Sequence, residues 1–524
     1  MKVKPMLSSA HAYSAPTRNH STPPAALDKP APSPYATPSD LTPGRLNVKM
    51  HPLHVNGDVK ISREIVWDPS DPNDPEIMSS RLVVETGNNA DDIHVRSWPG
   101  GKLQIFVNGT PYLFNAEEQQ GPPQGLWIKT KGGNDRIKID DDVKIRVDVD
   151  AGDGDDQVQA GGGRTRLYGQ GGNDVLRLGS GLGYAEGGDG DDTLMGGSGN
   201  NVMYGNKGND RIYAGAGAAT KQSHLDGGDG NDRLYAGNGH TVMHGGNDDD
   251  QLIGHDRTTF YTGKGHDRIW QNKVGDRVFA NASDHFDRTR GSTFTPVIPS
   301  SAGEQGFTIS VSPQDSTDFK QRVADDFEFL RSSPTGQQAL TQMDALAGVN
   351  GGKVTVEPIS FGGTSYVFDS AELEELAAEA EGNIDESALG VIKNGVPGSR
   401  ADRATIYYDP PSTLESMDRS NISVPVTGLF HEIAHAYNGA TGTFLSGETQ
   451  ESFGPGKSGP VENFERQAIG LPNDAQPFDL DNDPSTPPST INPKPFTENA
   501  LNEEMGKPLR NSYTLDYSEQ GNGQ

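Results

Sequence analysis

The 524-residue chain has no cysteine, which excludes disulfide staples and thiolate metal sites and leaves histidine and carboxylates as the available ligands. Positive charge is scarce as well. Against 73 Asp and Glu stand 44 Lys and Arg, a formal net charge of −29 with no basic stripe, so no nucleic-acid partner is expected. Only 32% of residues are hydrophobic, lean for one continuous globular core. No run approaches the roughly 18 apolar residues that a membrane span needs. Residues 1–45 have few large apolar side chains and no apolar stretch of the kind a secretory signal peptide carries. They read as a disordered Ser/Pro-rich segment, a composition that also suits an unfolded export signal. Nothing signals oligomerisation, so a monomer is expected.

What the chain has in excess is glycine, 66 residues of it, and much of it falls in a repeat. Aligned by nines, the sequence reads GGDGDDTLM at 187–195, GGSGNNVMY at 196–204 and GNKGNDRIY at 205–213. After an insertion around 218–224 it resumes as GGDGNDRLY, AGNGHTVMH and GGNDDDQLI through 253. Each unit joins a tight turn that needs Gly to a short strand whose apolar residue, such as Leu194, Ile212, Leu234 or Leu252, points into a narrow core. Two units make one coil. An Asp precedes the strand at 135, 156, 174, 192, 210, 232, 250 and 267, a spacing close to one coil. The intervening units carry Asn201, Thr241 and Thr259 at that position. One edge of the solenoid should therefore hold a row of carboxylates that the other has lost. Calcium takes several oxygen ligands, so it is expected along that one edge, around Asp192, Asp210, Asp232 and Asp250. The plainer alternative is a roll held by Asn/Asp side-chain ladders without metal. His224, His240, His244, His255 and His266 read as surface substitutions in a degenerate repeat.

A second signal lies far downstream. His431-Glu432-Ile433-Ala434-His435 is an H-E-x-x-H sequence. On a helix the two histidines lie on one face and can grip one metal ion, with Glu432 placed to take a proton from a water that zinc acidifies. The flanking residues 427–437 are apolar, predicting a helix buried on one side, and Asn438-Gly439 predicts its end. A catalytic zinc usually has three protein ligands. The third should come from 461–472, which has helical character and two glutamates, Glu462 and Glu465, three apart on one face. Spacing does not choose between them. Leu509-Arg510-Asn511-Ser512-Tyr513 places a guanidinium and a phenol three residues apart, where both could face a tetrahedral oxyanion. The alternative is a structural Arg–Glu pair with a packed Tyr.

Around these motifs, 46–130 reads as β-rich cap or irregular first coils, 131–284 as the solenoid, 285–309 as linker and domain entry, and 310–524 as the domain bearing the metal motif. Within that last domain, 318–331, 335–347 and 371–381 show helical periodicity, and 353–356 and 404–408 read as strands. The second of these strands is expected at a sheet edge, where an extended substrate docks.

Two resemblances extend this reading. The nonapeptides over roughly 130–284 resemble the RTX family, whose glycine-rich turns bind calcium in a parallel β-roll. HEIAHAYNG, ENFERQAIGLP and TENALNEEMGKPLRNSY, over about 310–513, are similar to the M91 family of zinc metallopeptidases. The expected architecture is thus multidomain, an RTX-like parallel β-solenoid followed by an α+β zincin-like metallopeptidase domain. The family pattern Asn-x-Glu maps onto Asn463 and Glu465, which favours Glu465 as third ligand and keeps Glu462 in reserve. The Arg510–Tyr513 spacing looks like that of clostridial neurotoxin proteases. The resemblance implies a secreted bacterial effector, delivered into host cells and cleaving a host protein. Its RTX-like roll departs from the compact members delivered by type III secretion. A rival reading is a calcium-dependent binding or adhesion protein with a decayed protease domain. A third makes the roll an export device that is inert in catalysis.

Overall fold

The computed structural model describes residues 33–513 apart from 44, 72–73, 116–123, 311–316, 360–362, 380–385, 417–418 and 453–457, so 1–32 of the N-terminal segment lies outside the described residues. A parallel β-solenoid of about 10 turns occupies 125–296, and a mixed α/β region follows it.

Period-two patterning builds the roll. Short strands such as Thr193–Met195, Arg211–Tyr213 and Arg233–Tyr235 stack in one parallel sheet, with Leu194, Ile212, Leu234 and Leu252 in register and fully buried. Longer strands, among them Asn201–Lys207, Gln222–Asp229, His240–Asn247 and Arg257–Lys264, form the opposite sheet and turn Met203, Leu225, Met243 and Phe260 inward. Stacked coils leave no room at the turns. Gly208 has φ 134°, and a Cβ there would strike the Gly190 carbonyl of the preceding coil. At the N-terminal end antiparallel strands extend both sheets, Asn47–Asn56 and Val59–Asp68 on one and Lys102–Val107 and Thr110–Asn115 on the other. The first coil therefore meets paired strands rather than an open edge.

The mixed region contains a four-stranded sheet in the order Phe307–Ile309, Val354–Pro358, Thr405–Tyr408, Ser365–Val367. Around it lie α1 (Thr317–Ser332), α2 (Pro334–Asn350), α3 (Ala371–Glu379), α4 (Pro425–Thr441), α5 (Asn463–Ile469) and α6 (Glu498–Met505). Two expectations are corrected here. Strand Thr405–Tyr408 is interior, and the edges are Phe307–Ile309 and Ser365–Val367, the latter pairing antiparallel with it. The helix that carries the histidines also runs on through Asn438-Gly439 and stops at Gly442, whose φ of 70° supplies the left-handed cap. Packing explains the override: Asn438 is buried and donates to Asn492 and Thr443, and Gly439 makes room for the Tyr366 hydroxyl.

Roll and mixed region share one core. The outward residues of the long-strand sheet form two columns, and Tyr184, Val202, Tyr204, Val242, Tyr261 and Phe279 pack with Phe319, Val323 and Phe329 of α1. The Phe329 ring sits against His224 at 5.4 Å, His244 at 5.4 Å and Tyr261 at 4.8 Å. Arg322 lies 3.4 Å over the Tyr204 ring and pairs with Asp326 at 2.8 Å, while the Tyr408 hydroxyl donates to the same carboxylate at 2.6 Å. The reading of the repeat histidines as surface substitutions is thus corrected for three of them. His224, His240 and His244 are buried under this interface, and only His255 and His266 face solvent.

Candidate metal centre

Helix α4 begins with Pro425 at its first turn, where a missing N–H costs nothing, and its residues from Pro425 to Ala440 are buried except Gly428. A helix so enclosed fixes its side chains. His431 Nε2 and His435 Nε2 stand 3.0 Å apart. Glu465, in the first turn of α5, brings Oε2 to 3.0 Å from His431 Nε2 and 3.3 Å from His435 Nε2. Three donor atoms so converge in one triangle, and among the described residues this is the single such His/Cys/Asp/Glu group. Ligands about 2.0–2.1 Å from a tetrahedral zinc stand about 3.3 Å from one another, so the triangle has the size and donor set of a zinc site. Glu462 is elsewhere. It is the exposed N-cap residue at the end of strand Ser458–Glu462, so the two glutamates do not share a helix face.

Electrostatics favour a cation at the triangle. Burial works against charge on Glu465, but His435 and His431 hold its carboxyl well below the usual range. Burial also opposes protonation of His431, yet Glu465 and Glu498 raise it to about 10. Glu432 is buried next to His431, and burial lifts its carboxyl above the ordinary value against the pull of both histidines. Phe444 and Phe464 wall the His435 ring at 6.2 and 5.7 Å.

Sequence reading missed Glu498. Its Oε2 lies 3.3 Å from His431 Nδ1 and 2.5 Å from Arg510 Nη1, and the side chain is 2% exposed. Burial opposes its charge, and Arg510 followed by His431 bring its pKa down to about 2. Glu498 opens α6 behind Thr497, which caps the helix by accepting from Ala500 N–H. The capping pattern was readable at this position, but the contact with His431 was not. Arg510 is placed behind the histidine: its guanidinium donates to Glu498 and to the Tyr513 carbonyl. Tyr513, with 39% of its surface exposed, donates its backbone N–H to Glu451. Asn463 supports the hairpin before α5 by accepting from Thr449 and donating to Ser446 O.

The family model Peptidase_M91, described as an effector protein, matches residues 308–513. The RTX calcium-binding nonapeptide repeat matches 150–183, 186–220 and 224–256. This chain carries an M91 effector peptidase domain on RTX repeats. No curated protein and no solved structure matches it significantly. The M91 domain thus includes α1 through α6, the triangle, Glu432 and Glu498. An effector peptidase implies a protein substrate, and effector family and repeats together point to secretion. Among the described residues no helix is long and apolar enough to cross a membrane.

The repeats imply calcium binding, and the carboxylate edge has a defined form. Asp174 N–H donates to Asp192 Oδ1 at 2.7 Å, Asp192 N–H to Asp210 Oδ1 at 2.7 Å, Asp210 N–H to Asp232 Oδ1 at 2.7 Å and Asp232 N–H to Asp250 Oδ1 at 2.8 Å. The same rung recurs from Asp91 to Asp284. In Asp192, Asp210, Asp232 and Asp250 the second oxygen is buried without a donor, 2.1–2.5 Å from where a Cβ would stand on Gly187, Gly205, Gly227 and Gly245, so only glycine fits beside it. Burial pushes Asp192 up to about 8, Asp210 to about 7 and Asp232 to about 9, with nearby carboxylates adding to the shift. Burial thus keeps this column of carboxyl groups largely protonated in the metal-free protein, each with one oxygen that lacks a donor.

Proposed function

We propose that the protein is a zinc endopeptidase, secreted and delivered to act on a protein of a host cell. The observation that carries this reading is the convergence of His431, His435 and Glu465 beside a buried Glu432 inside an M91 domain. Zinc bound at those three groups supplies Lewis-acid polarisation of the scissile carbonyl and acidifies water. Glu432, its carboxyl raised by burial, takes the proton of the attacking water and passes it to the leaving amine. Glu462 has no place in this ligand set. Tyr513 is our candidate for the oxyanion donor. Arg510, held by Glu498, serves the ligand side rather than the oxyanion. Calcium in this reading lies along the Asp192, Asp210, Asp232 and Asp250 edge, where the unpartnered carboxylate oxygens support it.

Glu432→Gln tests the enzyme. It should leave fold and zinc content intact and abolish cleavage of a randomised peptide library read by mass spectrometry. Cleavage at the parent rate by the zinc-loaded variant would sink the mechanism.

A further inference from the structure

We infer that α6 is a strut through which the roll positions metal ligand His431, so that the last coils of the roll are part of the support of the site. This rests on the zinc-peptidase reading above. At its N-terminal end α6 presents Glu498, 3.3 Å from His431 Nδ1 and locked by Arg510 at 2.5 Å. A carboxylate behind a ligating imidazole sets the ring's orientation and basicity. Glu498 is therefore a positioning residue.

The other end of the same helix is closed by the roll. The last carbonyls of a helix have no partner within it. Here Thr259 Oγ1 donates to Met505 O at 2.7 Å, and Arg277 Nη1 donates to Glu503 O and to Glu504 O at 2.9 Å. The guanidinium is also the charge that a helix C-terminus favours. Tyr261 donates to the Glu504 carboxylate at 3.1 Å, and that carboxylate in turn accepts from Ser333 at 2.6 Å and from Thr335 N–H at 2.8 Å at the start of α2. Thr259, Tyr261 and Arg277 come from adjacent strands of the long-strand sheet. An eight-residue helix is too short to hold itself in water, so its position depends on its tertiary contacts: Leu501 and Met505 pack in the core that α4 shares, and the roll closes the C-terminal end. One end is gripped by the roll and the other carries Glu498. A roll that only served export would not cap a helix of the peptidase.

The test uses the full chain. A Thr259→Val/Arg277→Met variant removes the caps from the roll side without touching the metal site. Zinc affinity by competition with a chromophoric chelator should fall about tenfold, the low end for loss of outer support to a metal ligand. Glu498→Gln should weaken zinc by about 10–100-fold, and it should lower the urea midpoint further in zinc-loaded than in metal-free protein, a difference that a merely structural residue would not give. Hydrogen exchange of the amides of 499–507 in metal-free protein should quicken in the double variant. Zinc affinity and exchange both at parent values would overturn the strut. Should the double variant lose native circular dichroism, Thr259→Val alone carries the same two readings. A parent that binds no zinc would instead overturn the peptidase reading, and the exchange measurement would still decide the strut.

Discussion

Phe329→Ala should unfold the roll and the peptidase domain together. The ring belongs to α1, is fully buried, and rests on His224, His244 and Tyr261 of the roll. Removing a buried Phe side chain costs about 3–5 kcal/mol, and a stacked sheet cannot collapse into the space left. With an m-value of about 4 kcal/mol per molar urea, a value scaled up for a chain of this size, the midpoint should fall by about 1 M. The assay comes from composition. All four tryptophans, Trp67, Trp98, Trp127 and Trp270, precede the M91 domain, so their fluorescence reports the solenoid side alone. The tryptophan midpoint of the zinc- and calcium-loaded variant should drop with the far-ultraviolet dichroism midpoint. A tryptophan transition that stays at the parent midpoint while the peptidase region melts early would refute the shared core.

Other outcomes follow from the same contacts. The ladder aspartates have folded-state pKa values of about 7 to 9, above the value of 3.8 for the unfolded chain. Their favourable contribution is therefore present in full below pH about 4 and lost as pH rises through 7 to 9. Calcium neutralises the ionised carboxylates, so the gap in melting temperature between calcium-loaded and calcium-free protein should widen from pH 5 to pH 9. A gap that does not change would contradict the cation edge. Gly208→Ala, with φ 134° and the Gly190 carbonyl in the way, should destabilise by about 2 kcal/mol or more in urea titration. Zinc binding must displace the proton that Glu465 and Glu498 hold on His431, so zinc affinity should fall as pH is lowered from 8 to 6 by chelator competition.

How much of this could be read from the residues differs from part to part. The nonapeptides specify the roll because turn glycines, strand alternation and ladder aspartates recur at one fixed interval, so each coil repeats the same local instruction. The two histidines four apart were readable for a similar reason, since helix periodicity brings such residues to one face. The contribution of α5 depended on where the helix starts. Sequence allowed both Glu462 and Glu465, and the strand that ends at Glu462 separates them. Long-range packing was the least legible. Glu498 meets His431 across 67 positions, and no periodicity encodes that distance. Alternate repeat units had visibly lost their Asp, but the sequence alignment by nines slipped by one in the last of them: the strand register sets Thr258 in line with Asn201 and Thr241, while Thr259 lines up with Val242 on the outward face and caps α6. The buried histidines of the roll belong to the same surface. Asn438-Gly439, a stop signal by propensity, was overridden by burial and by the stronger left-handed cap at Gly442.

The most direct measurement is elemental analysis of zinc in the full-length protein beside its His431→Ala, Glu465→Gln and Glu462→Gln variants. The account predicts one zinc per chain in the parent and in Glu462→Gln, and its loss from His431→Ala and Glu465→Gln. A folded parent without zinc, or zinc retained in full by both ligand variants, would contradict it.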